Sequence, residues 1–264
     1  MAIIALLLLA GLFALASASS ELGRIKFNDS YYYLKHQLMY GFGLGIIGFL
    51  IGYFILYQNF KKIALPFLGF NLALLVLVFT KLGVSSGGAS RWLQLGPLSF
   101  QPAELLKISL IVYLSAWFSG RTNRATSFWN GFVPFLFTLG ITAGLLFMQP
   151  ATSTVVILLF SGGVIYFLSG AKLRFLGIAA MIGVVVIGAL IYFTPYRLNR
   201  VMGFLNKDAN TQGTNYHLNQ ALIAIGSGEA TGMGYGKSTA KINYLPAVVD
   251  DSIFAVVGQE LGFV

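Results

Sequence analysis

Apolar positions along the chain gather into seven long runs, at 2–18, 37–57, 63–81, 103–119, 131–148, 153–169 and 175–194, with polar stretches between them. Each is close to the ~20 mostly apolar residues a helix needs to cross a bilayer. The pattern predicts an all-α, polytopic integral membrane helix bundle with seven complete transmembrane helices. An eighth run begins near Ser252 and reaches Val264. A helix cut there would leave unsatisfied carbonyls in lipid, so the chain reads as an N-terminal fragment of a longer protein. A long extracytoplasmic loop, 195–251, precedes the eighth run within a single membrane domain over 1–264. The first run ends on Ala16-Ser17-Ala18, a small-residue pattern of the kind signal cleavage uses. No basic residue precedes it, and it exceeds the about 7–15 residues of a signal core. It reads as a retained helix.

Composition excludes most other classes. Charged residues make up 9% of the 264 residues and hydrophobic ones 57%, against about 25% charged in a soluble domain. With no cysteine and two histidines, His36 and His217, a disulfide scaffold and a thiolate metal site are ruled out. The net charge of +9 is dispersed between apolar runs and forms no stripe, which argues against a nucleic-acid partner.

Charge placement sets the orientation. With the N-terminus in the cytoplasm, the inner connections are 58–62, 120–130 and 170–174. They hold Lys61, Lys62, Arg121, Arg124, Lys172 and Arg174 and no acid. All the acids, Glu21, Asp29, Glu104, Asp208, Glu229, Asp250, Asp251 and Glu260, fall in or beside the opposite segments. Short cytoplasmic loops carry an excess of Lys and Arg, so 19–36, 83–102 and 195–251 lie outside. Trp92, Trp117 and Trp129 fall at run ends, where an indole suits the interface; for Trp117 and Trp129 that role is sufficient.

Three outer stretches could carry chemistry. In the first, Arg91-Trp92-Leu93-Gln94-Leu95-Gly96 is followed by Gln101-Pro102-Ala103-Glu104-Leu105-Leu106-Lys107. Pro102 suits a first helical position, and Glu104 and Lys107, three apart, share a helix face. Ionisable groups in a membrane segment usually face a bundle interior or a wet cavity; the plain alternative is a structural ion pair. In the second, Arg197 and Arg200 precede Tyr216, Gln220, Gly226-Ser227-Gly228, Gly232-Met233-Gly234-Tyr235-Gly236-Lys237-Ser238 and Lys241. Cations, glycines and hydroxyls together could hold a phosphate; the plain alternative is a Gly-rich loop with solvated lysines. A nucleotide P-loop fails because Thr231 stands where its first glycine belongs. In the third, Asp250 and Asp251 precede the eighth run. One carboxylate could cap a helix and the other act as a general base at the membrane surface; the residues alone leave this open.

Taken together, these stretches resemble the SEDS family (shape, elongation, division and sporulation). The resemblance runs in order from Ser17-Ala18-Ser19 to Gly262. It rests on RWxxLG and QPxELxK over 91–107, Tyr196-Arg197 with Arg200 before Phe204-Leu205, YxxxQALIAIGSG over 216–228, then GxGxGxS, KxxYLP and DSIFAV. Departures are Ala247, Val249 and Asp250 where the family commonly reads Glu, His and Thr. Gln149-Pro150-Ala151-Thr152-Ser153-Thr154 stands where a PDLGT pattern is usual, Ala240 for a Gln, and Gln259-Glu260 for paired Glu. Ser238 with Lys241 and the IAIGSG run lean toward the division branch over the elongation branch.

The resemblance implies a ten-helix peptidoglycan glycosyltransferase that polymerises lipid II into β-1,4 glycan strands. It would sit in the bacterial cytoplasmic (inner) membrane, multi-pass, at the division septum, and work with a class B penicillin-binding transpeptidase and other divisome proteins. Its substrates are lipid II and undecaprenyl-pyrophosphate-linked glycan. The LPxxxxD segment puts the catalytic aspartate at Asp251. Arg91, Lys107, Arg197, Arg200 and Lys241 are candidates to meet the pyrophosphate, with Gln220 and Ser238 also expected at the substrate. Glu104 would hold Lys107 or help bind a divalent cation, Mg or Mn; no other cofactor is implied. A lipid II flippase and a non-catalytic scaffold for the transpeptidase are the competing readings. Short, acid-free inner loops argue against the flippase, which needs polar groups accessible from both faces.

Overall fold

The computed structural model describes residues 2–86, 89–95, 98–120, 123–149, 151–194, 198, 201–202, 216–239 and 252–263. These gather into two compact units, one from Phe54–Leu190 and one from Met1–Tyr53 with Ile191–Val264.

The first unit contains α3 (Tyr57–Leu77), a three-stranded sheet, α4 (Pro102–Ser119), α5 (Phe128–Met148), α6 (Thr152–Leu168) and α7 (Leu173–Phe193). Helices dominate because backbone groups in hydrocarbon must find partners within the segment. Along α4, Ala103, Leu106, Leu110, Leu114 and Phe118 recur at helical spacing and are all buried. They meet Leu68 and Leu75 of α3, Phe135, Leu139 and Leu146 of α5, and Val155, Leu158 and Tyr166 of α6. Tyr166 stacks on Phe135 at 4.4 Å and donates its hydroxyl to the Ala125 carbonyl at 2.9 Å, so the ring fills the core while its polar tip is satisfied. α7 buries only Phe175.

The outer stretch expected as an irregular loop at 83–102 instead forms β1 (Gly83–Ser86), β2 (Ala89–Leu95) and β3 (Leu98–Phe100). They pair antiparallel in chain order, with Gly83 opposite Leu93 and Leu93 opposite Phe100. Two-residue connections allow it, as Gly87-Gly88 separates the first pair in sequence. The turn into β1 is tight: a Cβ on Gly83 would lie 1.9 Å from the Val78 carbonyl oxygen.

The second unit contains α1 (Ala2–Phe27), α2 (Tyr32–Phe54, with a π-turn at Gln37–Phe42), α8 (Tyr216–Ser227) and α9 (Ile253–Leu261). α1 continues through Ser17-Ala18-Ser19, and these with Gly23 are its buried residues. Small side chains let backbones approach closely: Ala18, Ala224, Ala255 and Val256 form the core where α1, α8 and α9 meet. Much of 195–251 was expected to be loop, yet α8 lies within it.

Element ends moved relative to the apolar runs. α1 extends nine residues past 18, and α3 begins at Tyr57, so Lys61 and Lys62 lie on a helix and not in a loop. Among the described residues, five helices, α1, α2, α3, α5 and α7, are long and apolar enough to cross a membrane. α4 carries Glu104 and Lys107, and α6 has 17 residues, short of the ~20 that a full span uses.

Candidate functional site

In the first unit, Pro102 starts α4 without needing its absent amide, and Glu104 occupies the first turn, where the helix dipole favours an acid. One turn on, the Lys107 ammonium lies 2.8 Å from the Glu104 carboxylate, with side-chain exposures of 28% and 58%. The pair anticipated as the plain alternative is formed, on an accessible surface. Arg91, on β2, donates Nε to the Gln149 main-chain carbonyl at 3.1 Å. Gln149 follows α5, is 1% exposed, and donates Nε2 to the Leu75 carbonyl of α3 at 3.0 Å. Sequence reasoning noted Gln149 only as a departure from a family pattern. A polar residue flanked by an apolar span and a proline was the signal available.

In the second unit, Ser238, expected at the substrate, packs against α9. It is 1% exposed, its hydroxyl donates to Gln259 Oε1, and its amide donates to Glu260 Oε1 at 3.3 Å. A hydroxyl buried against a neighbouring helix holds the loop and is turned away from solvent. Gln259 Nε2 donates to Ser227 Oγ at 2.9 Å. Glu260, 3% exposed, accepts from Ser17 Oγ at 2.7 and 2.6 Å on its two oxygens. The backbone follows the same path: Met233 and Gly234 amides donate to the Gln259 and Glu260 carbonyls at 3.0 and 2.9 Å. Two of the glycines read as a phosphate cradle are needed for this contact. A Cβ on Gly228 would meet the Gly258 carbonyl at 2.2 Å, and one on Gly232, at φ +77°, the Glu260 carbonyl at 2.2 Å. Their places are set by the close approach to α9. Gln220, on α8, is half-buried. Ser17, Gln259 and Glu260 were not among the expected site residues; a hydroxyl, an amide and a carboxyl inside apolar runs were their trace in the sequence.

Asp251, Arg197, Arg200, Lys241 and Asp250 lie outside the described residues. Among the described residues, no three His, Cys, Asp or Glu side chains converge as a metal site, and Glu104 is paired with Lys107.

Among the described residues of the connections, two groups have shifted acidities. The Lys35 ammonium, 2.7 Å away, and the Tyr31 amide hold the Asp29 carboxyl below its ordinary value. Burial, then the charges of Glu260 and Tyr31, push the Tyr235 phenol up, while its hydroxyl donates to the Phe13 carbonyl at 2.9 Å.

The long apolar helices and their polar terminal networks define a multi-pass helical membrane protein. The chain belongs to the FtsW/RodA/SpoVE family of cell cycle proteins, whose model matches residues 1–264. It is 34% identical over 94% of its length to the probable peptidoglycan glycosyltransferase FtsW of Buchnera aphidicola. It is 36% identical over 98% of its length to the protein of that name in Haemophilus influenzae. It spans 70% and 65% of those relatives' own lengths. A solved chain from a study of the structural coordination of polymerization and crosslinking by a peptidoglycan synthase complex shares the fold at TM-score 0.68 and 24% identity. The match covers 96% of this chain and 71% of that one.

Proposed function

We propose that this protein is a peptidoglycan glycosyltransferase that polymerises lipid II into β-1,4 glycan at the outer face of the cytoplasmic membrane during cell division. The observation that carries the reading is the family match over the whole chain, with curated relatives named as glycosyltransferases. An acceptor sugar hydroxyl attacks the donor's anomeric carbon with inversion. The new C–O bond forms as the bond to undecaprenyl pyrophosphate breaks, and the hydroxyl proton passes to the Asp251 carboxylate, a general base. Cations opposite the leaving pyrophosphate stabilise the charge that develops there. Arg91 and Lys107, held by the Gln149 carbonyl and Glu104, are the described candidates; Arg197, Arg200 and Lys241 are the others. A class B penicillin-binding transpeptidase is the proposed partner, supported by the family and by a neighbour of like fold in a peptidoglycan synthase complex.

The test is polymerisation of labelled lipid II by the intact protein with its cognate transpeptidase, wild type beside Asp251→Asn. Long glycan from wild type and none from a folded, partner-binding mutant is expected. Equal product from both would remove Asp251 as the base. No product from either, with lipid II crossing vesicles, would replace the polymerase with a flippase.

A further inference from the structure

Gln149 makes contacts that packing alone does not require. At the end of α3, the Val78 amide keeps its helical bond to the Leu74 carbonyl, but the Phe79 amide turns from Leu75 to the Val76 carbonyl. The helical partner of the Leu75 carbonyl is therefore diverted, and Gln149 Nε2 takes its place at 3.0 Å. The bond fixes the residue whose own carbonyl receives Arg91 Nε at 3.1 Å. One buried residue thus ties the end of α3 to β2. The arrangement carries a cost, because Gln149 Oε1 is buried with no hydrogen-bond partner among the described residues, and an unpaired buried acceptor is unfavourable. Methionine would fill a similar volume without that orphan atom.

We infer that Gln149 is a positioning residue for Arg91. By anchoring its main chain to Leu75, it holds a carbonyl where Arg91 Nε must come, and a guanidinium held at Nε has its plane set before a pyrophosphate arrives. The inference rests on the reading that Arg91 meets the leaving group. Lysine at 91 would keep the charge and lose the Nε bond, so the two residues form one coupled pair.

The experiment compares wild type, Gln149→Met, Arg91→Lys and the double variant in the intact protein, reading KM and kcat for lipid II and the melting temperature. Gln149→Met is expected to raise KM roughly three- to tenfold, the scale of one hydrogen bond, beyond any fall in melting temperature from the lost donor to the Leu75 carbonyl, a loss that removal of the orphan Oε1 offsets. The double variant should be no worse than Arg91→Lys alone. Multiplying losses, an unchanged KM, or activity that falls only in step with melting temperature would overturn the inference. So would Arg91→Lys with wild-type kinetics, which also removes Arg91 from the substrate site. A second measurement needs no catalysis: phenylglyoxal modification of Arg91, followed by peptide mass spectrometry, is expected to be several-fold faster in Gln149→Met. Equal rates overturn the positioning role whether or not wild type makes glycan, and absent glycan by itself counts only against the polymerase reading.

Discussion

The buried carboxylate of Glu260 accepts one hydroxyl proton, from Ser17 Oγ, shared between its two oxygens, and the Ser238 amide on Oε1. A buried acceptor stripped of a donor loses the bond and keeps its desolvation. Ser17→Ala is therefore expected to destabilise the protein by about 1–3 kcal/mol, read as a lower unfolding midpoint in detergent; an unchanged midpoint would show that Ser17 is not a principal donor. Asp29 behaves differently because it is exposed and held by Lys35. Its folded acidity lies below the ordinary 3.8, so the stabilisation it contributes is present above that value and is lost as pH falls through the lowered one. Lys35→Met should return the carboxyl toward 3.8, measured by carboxyl-carbon NMR titration of labelled aspartate.

Between elements, the controlling fact is how closely the 228–239 turn approaches α9. Gly232 and Gly236 both have left-handed backbone, φ +77° and +80°; at Gly232 the Glu260 carbonyl stands 2.2 Å from where a Cβ would go, while among the described residues nothing lies within 4 Å of that position at Gly236. An alanine at 236 carries the left-handed cost of about 1–2 kcal/mol, while one at 232 adds a clash with backbone that cannot swing aside. Gly232→Ala is thus expected to melt well below Gly236→Ala in parallel thermal scans; equal melting would mean that the turn is not pressed against α9. The same contact explains why a Gly-rich stretch resembled an anion cradle. Backbone approach to a phosphate and backbone approach to a helix end make the same demand for a missing side chain, and sequence records only the demand.

For the whole molecule, the cations of 58–62, 120–130 and 170–174 predict that these connections face the cytoplasm. The absence of cysteine makes single-cysteine labelling clean. An impermeant maleimide should label Lys237→Cys in sealed right-side-out vesicles and Lys172→Cys only after permeabilisation; the reverse pattern would invert the topology.

The apolar runs by themselves determined a membrane-embedded, almost wholly helical protein, because lipid admits few backbone solutions. The ordered motifs at 91–107 and 216–228 determined the family. The Glu104–Lys107 pair was also legible, since three-residue spacing brings two side chains together on any helix. What depended on residues far apart in the chain was not legible. Ser17 meets Glu260, Ser238 meets Gln259, and Gln149 joins Leu75 to Arg91. The sheet at 83–100 was missed for a related reason, as short strands take their partners from the neighbouring strand and leave little mark on hydropathy. Only the tertiary structure decided that Ser238 meets Gln259 and Glu260 of α9, because one hydroxyl suits many partners, and the burial that brings it to these comes from the backbone packed around it.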